Sequence, residues 1–544
     1  MDNPTLHDYN VDTRINDFIT YVKNQGSHFR TNHVAITTGM DFHYTAAHAW
    51  FMNLDKLIKY INNEKTDTGV HVMYSTPTCY LKNLREANEA WPVKEGDFFP
   101  YASDYHAYWS GYFSSRPTSK FMIRDASRVL QAAKQITVKK YFDPNCDENC
   151  KLDLLEATET LDRAVGVAQH HDAITGTEQD YVAEDYHNRL DSALYRIDYT
   201  LDGGAQCKYL NMSVCDISGS SETQIPSDEE FRIFVYNPLG QSFEPMIRFP
   251  IKGTQWIIKD ENLLPLASQV LKIPQAVMQM PGRKYQMDID HEIVFKSPKI
   301  PAVSQAKFYV KPSSSSVTEN HSKFLKRAEI FETQRGKYYF DGEKLSAFQS
   351  LDGTFYNFTQ EYFYYIGHRG NNTEFDFRAS GAYIFRPESS EPIKLRNPTE
   401  VKVEEGEFYF QLEMEFESFA SQLLRIPKKL DDTLADIEVE WMIGPIPIED
   451  QNGKEFIHKV TMNHWNNQGE FYTDANGRQN LKRIRDQRPD YDISNATFEE
   501  PIGNVQFLIH LLSKIELLLK LQIITQSMHG YLCKTKKLMI GFQS

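Results

Sequence analysis

The chain has 544 residues and a formal charge of −15, from 59 Lys and Arg against 74 Asp and Glu. Hydrophobic residues make up 41% and charged residues 24%, which allows packed cores and excludes a disordered chain. An acidic chain with no Lys/Arg cluster is a poor nucleic-acid binder, so no nucleic-acid partner is expected, and about 150 residues per domain gives three or four domains.

In chain order, residues 1–20 are polar where a signal peptide would carry its apolar core, so no leader is read there. VAITTGMDF (34–42) and GVHVMYSTP (69–77) read as strands. They flank a helical stripe of Phe51, Leu54, Leu57, Ile58 and Ile61. Strand, helix, strand predicts one βαβ unit, placing residues 1–92 in an α/β domain. One such unit cannot cover a parallel sheet on both faces, so 1–92 reads as the C-terminal part of a larger α/β domain. Residues 93–205 read as a helical bundle. Leu154, Leu155, Leu161, Ala164, Val165 and Ala168 form one helix face, and Thr177 is the expected N-cap of the next helix. Residues 225–504 change to short β-prone runs such as FRIFVYNPLG, YQMDIDHEIVF, AKFYVK, GEFYFQLEMEF and ADIEVEWMIG, the pattern of β-sandwich domains. The expected class is therefore multidomain: α/β, then α, then β. The apolar stretch 505–525 holds Lys514, Glu516 and Lys520, so no membrane span is expected, and 505–544 reads as a separate tail.

Four places offer chemistry. AQHHDAITGT (168–177) puts two His and an Asp at a helix end; imidazole suits Zn²⁺, and a neighbouring carboxylate can orient a ring or bind a sugar hydroxyl. Adjacent residues on a helix diverge by about 100°, so at most one of the two His is expected to ligate a given ion. Asp41 follows a predicted strand, where catalytic groups of α/β folds collect. Trp109 lies in the aromatic run DYHAYWSGYFSSRP, and Tyr472 in FYTDANGR. Cys146/Cys150 and Cys207/Cys215 have spacings that suit local disulfides, with unpaired thiols as the alternative. Sequons occur at Asn211, Asn320, Asn357, Asn371 and Asn495. No GxSxG elbow, Walker loop, HExxH or EF-hand pattern is present.

From about residue 4 to 504, the stretches RTNHVAITTGMDFHY, VHVMYSTPTCYL, DFFPYASDYHAYWSGYFSSRP, AQHHDAITGT, VYNPLG, ASGAYIFRP, EVEWMIGPIPI and GEFYTDANGR follow in one order. In these the chain resembles glycoside hydrolase family 38, the retaining α-mannosidases, and SSRP and YSTPTCYL favour its lysosomal branch. The resemblance implies a double displacement with zinc gripping the mannose 2- and 3-hydroxyls. It implies that Asp41 is the acid/base, His171 a zinc ligand and Asp172 a binder of sugar hydroxyls, with Trp109 and Tyr472 as substrate contacts. It gives Cys207 and Cys215 the family's disulfide spacing, and places Cys79 where the family pairs with an upstream cysteine. The expected substrates are α-mannosides of N-glycans, and the expected location is the lysosome or secretory pathway.

The chain also departs from the family. The family's His-x-Asp strand and its Asp-Pro-Phe-Gly-His-like nucleophile segment do not occur before Asp41, and the one His-x-Asp in the chain is His170–Asp172 itself. The expectation is an N-terminally truncated chain with an incomplete Zn²⁺ site and no turnover by itself. Homo-oligomers, or association with a separate N-terminal fragment, are the expected partners. The alternative is a truncated isoform that binds carbohydrate or protein without catalysis.

Overall fold

The stripe over residues 50–61 folds as a helix, but the two strands expected beside it do not form. The computed structural model describes residues 2–64, 68–93, 97, 101–104, 106–202, 230–251, 253–279, 290–313, 321–325, 327–398, 400–429, 437–462, 466–474, 479–485 and 539–543. The chain divides into two units, Met1–Gly96 and Asp97–Ser544. The first holds helices α1 (Val11–Gly26), α2 (Ala47–Glu64) and α3 (Pro77–Glu86). Ile15, Ile19 and Ile61 are buried between α1 and α2, against Val70 and Val72. Among the described residues of this unit there is no strand. A strand is completed by a neighbouring strand, and here the available partner is a side chain. Asn62 Nδ2 donates to the Val72 carbonyl (2.8 Å), and the Val72 N–H donates to Asn62 Oδ1 (2.9 Å), using the groups a ladder would pair. Pro77 opens α3 instead of closing a strand; Thr76 Oγ1 caps the helix by accepting from the Cys79 N–H.

The second unit begins with a three-helix layer, α4 (Pro117–Tyr141), α5 (Glu148–Val167) and α6 (Asp180–Asp202). Leu154, Leu161, Ala164, Val165 and Ala168 are buried as the periodicity predicts, against Ile123, Leu130, Leu190 and Ile197. Leu155 is turned outward. Cys146 and Cys150 form a disulfide at the start of α5, and Asp147 caps that helix through the Cys150 N–H. Cys207, Cys215 and the sequons Asn211, Asn320 and Asn495 lie outside the described residues; Asn357 and Asn371 are exposed.

The β region is built from β1 (Phe231–Asn237), β2 (Met246–Ile251), β3 (Trp256–Lys259), β4 (Pro265–Leu266), β5 (Ser268–Lys272), β6 (His291–Lys296), β7 (Ser304–Pro312), β8 (His321–Leu325), β9 (Glu329–Thr333), β10 (Gly336–Phe340), β11 (Leu345–Ser350), β12 (Phe355–Ile366), β13 (Ile393–Lys394), β14 (Val401–Glu405), β15 (Tyr409–Glu417), β16 (Ala420–Pro427), β17 (Glu438–Ile443), β18 (Lys454–Met462), β19 (Glu470–Asp474), β20 (Asn480–Ile484) and β21 (Met539–Gln543). The sheet ordered β21-β1-β7-β3-β4 faces the sheet β2-β6-β5 across a core of Phe231, Ile233, Phe249, Trp256, Phe295 and Phe308. A second pair of sheets, β13-β12-β11-β10-β9 with β18 beside β12, and β17-β16-β15-β14-β8, shares Phe331, Phe340, Val403, Leu412, Leu424 and Val439. These are sandwiches, as the short β-prone runs predict. The β2-β6-β5 sheet is covered on both faces. Met246, Leu271 and Val294 on its far side pack on Phe408 and Tyr409, which explains why all six residues of β2 are buried. Among the described residues, no helix is long and apolar enough to cross a membrane.

His458 on β18 stacks on Tyr362 of β12, with ring centroids 4.7 Å apart. Its Nε2 is buried without a hydrogen-bond partner among the described residues, and burial pushes its pKa down to about 4. The unfolded chain therefore takes up a proton below about pH 6.5 that the fold refuses until about pH 4. Stability from this site falls across that window, by about 2 kcal/mol at pH 5. Urea melts of His458→Phe at pH 7 and pH 5 should show a correspondingly smaller acid loss than the parent.

Candidate metal centre on the helical layer

Helix α5 ends at Val167, three residues before the first histidine, and the chain passes through consecutive turns to Gly176. The 100° divergence expected of adjacent helical residues therefore does not apply. The His170 and His171 rings lie 4.4 Å apart, and their Nε2 atoms are 3.4 and 3.6 Å from Asp172 Oδ2. One ligand atom from each residue lies within 4.8 Å of the others. Donors bound tetrahedrally to zinc at about 2.0–2.1 Å are about 3.3–3.4 Å apart, so both His–Asp separations fit a shared ion. The helical argument that separates the two His thus does not hold at this turn, and each of the three residues presents one ligand atom to the same space. His171 is 85% exposed and His170 44%, leaving the open side to solvent.

The turn is tied from within. Thr177 Oγ1 donates to Asp172 Oδ1 (2.7 Å), and the Thr177 N–H to the Asp172 carbonyl (3.2 Å). Thr175 Oγ1 donates to the His171 carbonyl. Thr177 is therefore a brace of the turn rather than the N-cap of α6, which starts at Asp180. The Thr177 hydroxyl, followed by the two imidazoles, holds the Asp172 carboxyl below the usual carboxylate range.

Trp109 belongs to the same surface. Its ring meets Tyr383 edge-on at 5.1 Å, and Tyr383 Oη donates to Asp172 Oδ1 at 3.4 Å. The 381–384 loop approaches so closely that a Cβ on Gly111 would lie 2.8 Å from the Gly381 carbonyl. Tyr472 stands half-exposed on β19, cross-strand from Lys482, and among the described residues no hydrogen bond or ring contact joins it to the turn. Asp41 lies in the first unit, exposed in a turn instead of at a strand end, followed by Phe42 in the left-handed conformation at φ 62°. The turn thus unites His170, His171, Asp172 and, through Tyr383, Trp109.

Sequence reasoning missed Tyr383, although it lies in the stretch ASGAYIFRP. It also missed the cations beneath the turn. Lys120 Nζ donates to the Ile174 (2.6 Å) and Thr175 (2.8 Å) carbonyls, and burial pushes its pKa down to about 8. Arg116 Nη2 donates to the Glu178 carbonyl (3.1 Å) and to Asp180 (2.6 Å). No local pattern marks these residues, because their partners lie more than 50 positions away.

Residues 1–104 match the model of the glycosyl hydrolases family 38 N-terminal domain, 107–207 the alpha mannosidase middle domain, and 350–516 the glycosyl hydrolases family 38 C-terminal domain. An α-mannosidase of Arabidopsis thaliana is 33% identical over 539 residues, covering 93% of this chain and 50% of its own. Lysosomal α-mannosidases of Mus musculus and Homo sapiens are each 32% identical, over 92% of this chain and 49% of their own length. The chain spans about half the length of the curated relatives it matches.

Proposed function

Because the chain belongs to glycoside hydrolase family 38, we propose that its His170–Asp172 turn is part of the site of a zinc-dependent retaining α-mannosidase acting on terminal α-mannosyl residues of N-glycan oligosaccharides. The observation that carries this reading is the convergence of three donor atoms within 4.8 Å on an exposed, internally braced turn. Bound zinc supplies Lewis-acid polarisation of the sugar hydroxyls it touches. His171 is assigned as a metal ligand, with His170 beside it. Asp172, aimed by Thr177 and Tyr383, keeps lone pairs for a mannose hydroxyl. Trp109 offers an aromatic wall, and Tyr472 a hydroxyl for the substrate. Asp41 is assigned the proton transfers: to the leaving-group oxygen first, and then from the attacking water.

The relatives named lysosomal support residence in the lysosome or secretory pathway. The Cys146–Cys150 disulfide and the exposed sequons at Asn357 and Asn371 fit an oxidising, glycosylating route.

No Asp-Pro-Phe-Gly-His-like nucleophile segment occurs in these 544 residues. The chain by itself is therefore expected to bind zinc and mannosides with little turnover. Calorimetric titration with Zn²⁺, and with a chromogenic α-mannoside in its presence, tests this. Binding that is lost in His171→Ala supports the site. Equal binding by parent and variant sinks it, and rapid zinc-dependent release of the chromophore sinks the expectation of low turnover.

A further inference from the structure

We propose that Lys120 is a positioning residue of the His170–Asp172 turn, holding it in ligating shape from beneath; this rests on the reading of that turn as a metal site. The carbonyls beyond a helix C-terminus lack intrahelical donors and need outside partners. Lys120, one turn into α4, supplies them to Ile174 and Thr175 at 2.6 and 2.8 Å. The link to the ligands is short. Thr175, whose carbonyl Lys120 holds, donates its hydroxyl to the His171 carbonyl and lies 3.0 Å from Thr177 Oγ1. Thr177 Oγ1 in turn donates to Asp172 Oδ1. One ammonium thus holds the residue whose hydroxyl reaches the His171 carbonyl, two positions before Thr177, which braces Asp172.

The surroundings suit a fixed cation. The Glu178 side chain is 3% exposed and attracts Lys120, and Arg116 Nε lies 3.4 Å from Glu178 Oε1. Arg116 also grips the far end of the segment at Glu178 and Asp180. The start of α4 is therefore a two-point clamp, with Lys120 under the turn and Arg116 at its exit. An ammonium removed from water is costly, and the two carbonyls with the adjacent carboxylate offset that cost. Outer residues that orient metal ligands typically change metal affinity by about 10–100-fold when removed.

The test compares the full chain with Lys120→Met and Lys120→Arg. Co²⁺ and Zn²⁺ affinities are measured by titration, and amide hydrogen exchange is followed with and without metal. The expected result for Lys120→Met is exchange at least about tenfold faster at Gly176 and Thr177, with residues 126–133 of α4 unchanged. Metal affinity should fall by about 10–100-fold, and Lys120→Arg should restore both. Unchanged exchange in the turn overturns the proposal. So does acceleration spread evenly over α4 and α5, which marks a general packing role. If Lys120→Met unfolds the helices, Lys120→Gln is scored by the same two patterns. A parent chain that binds neither metal, yet whose turn loosens only in Lys120→Met, removes the metal reading and leaves the positioning role standing.

Discussion

Arg425→Met should destabilise the β region by about 3–5 kcal/mol in urea unfolding at pH 7, and by less at pH 5. Arg425 sits at the centre of a buried cluster between the β2-β6-β5 sheet and the sheet carrying β16 and β17. Its Nη2 is 3.1 Å from Glu292, its Nη1 2.5 Å from Glu440 and 3.4 Å from Glu438, and its Nε donates to Gln411. Arg248 completes the cluster with a two-pronged contact to Glu438 at 2.8 and 3.1 Å, and with Glu440 at 3.3 Å and Glu292 at 3.8 Å. Three carboxylates face two guanidiniums, so the fully ionised cluster carries one negative charge. Burial accordingly pushes the Glu292 carboxyl up, against the pull of Arg425 and Arg248.

The sign follows from that direction. A carboxyl whose folded pKa lies above its unfolded value contributes most stability below the unfolded value, and loses it as pH rises through the folded one. Removing Arg425 pushes Glu292 further up. The penalty is then largest where Glu292 must ionise and shrinks as acid protonates it. The pair Arg425→Met with Glu292→Gln should recover part of the loss, since it removes the stranded charge together with its partner. Equal losses at pH 5 and pH 7 would show that the charge is solvated and the cluster is not closed.

Gly176→Ala should cost about 2–4 kcal/mol and weaken the metal binding proposed for the turn. Gly176 has φ +74°, where an alanine is strained by about 1–2 kcal/mol. Its missing Cβ would lie 2.4 Å from the Ser115 carbonyl and 3.0 Å from Arg116 Cβ. The obstacle is backbone at the start of α4, itself held by Ser115 Oγ donating to the Ala382 carbonyl at 2.7 Å, so it cannot swing aside as a long side chain would. The turn must shift, and His170, His171 and Asp172 shift with it. Thermal melts, exchange at residues 173–177 and a Zn²⁺ titration read the three consequences. A variant that melts and binds zinc like the parent would show that the turn tolerates displacement.

Much of this was legible along the chain. The 3.6-residue period over 154–168 marked α5 and its buried face, and the Gly in AITGT marked where the helical layer breaks. Short β-prone runs marked β1, β7, β15 and β17. The four-residue spacing of Cys146 and Cys150 suited the disulfide that forms. The His-His-Asp pattern directed attention to the turn where three ligand atoms converge. These signals share a cause: each depends on residues a few positions apart, whose relation is set by backbone geometry alone.

Tertiary structure decided the rest. Whether 34–42 and 69–77 become strands depended on a partner, and in this unit Val72 found Asn62. Whether the two histidine rings lie side by side near Asp172 depended on α5 stopping at Val167. The Lys120 clamp reaches across 54 positions, the Arg425 cluster across as many as 192, and Tyr383 reaches Asp172 across 211. A net charge of −15 does not reveal that four buried charges, with Glu438 beside them, link two sheets. Local periodicity specifies which face of an element is apolar. What a charged or hydroxyl group pairs with is fixed only when distant segments are brought within hydrogen-bond reach, where burial makes each unpaired group costly.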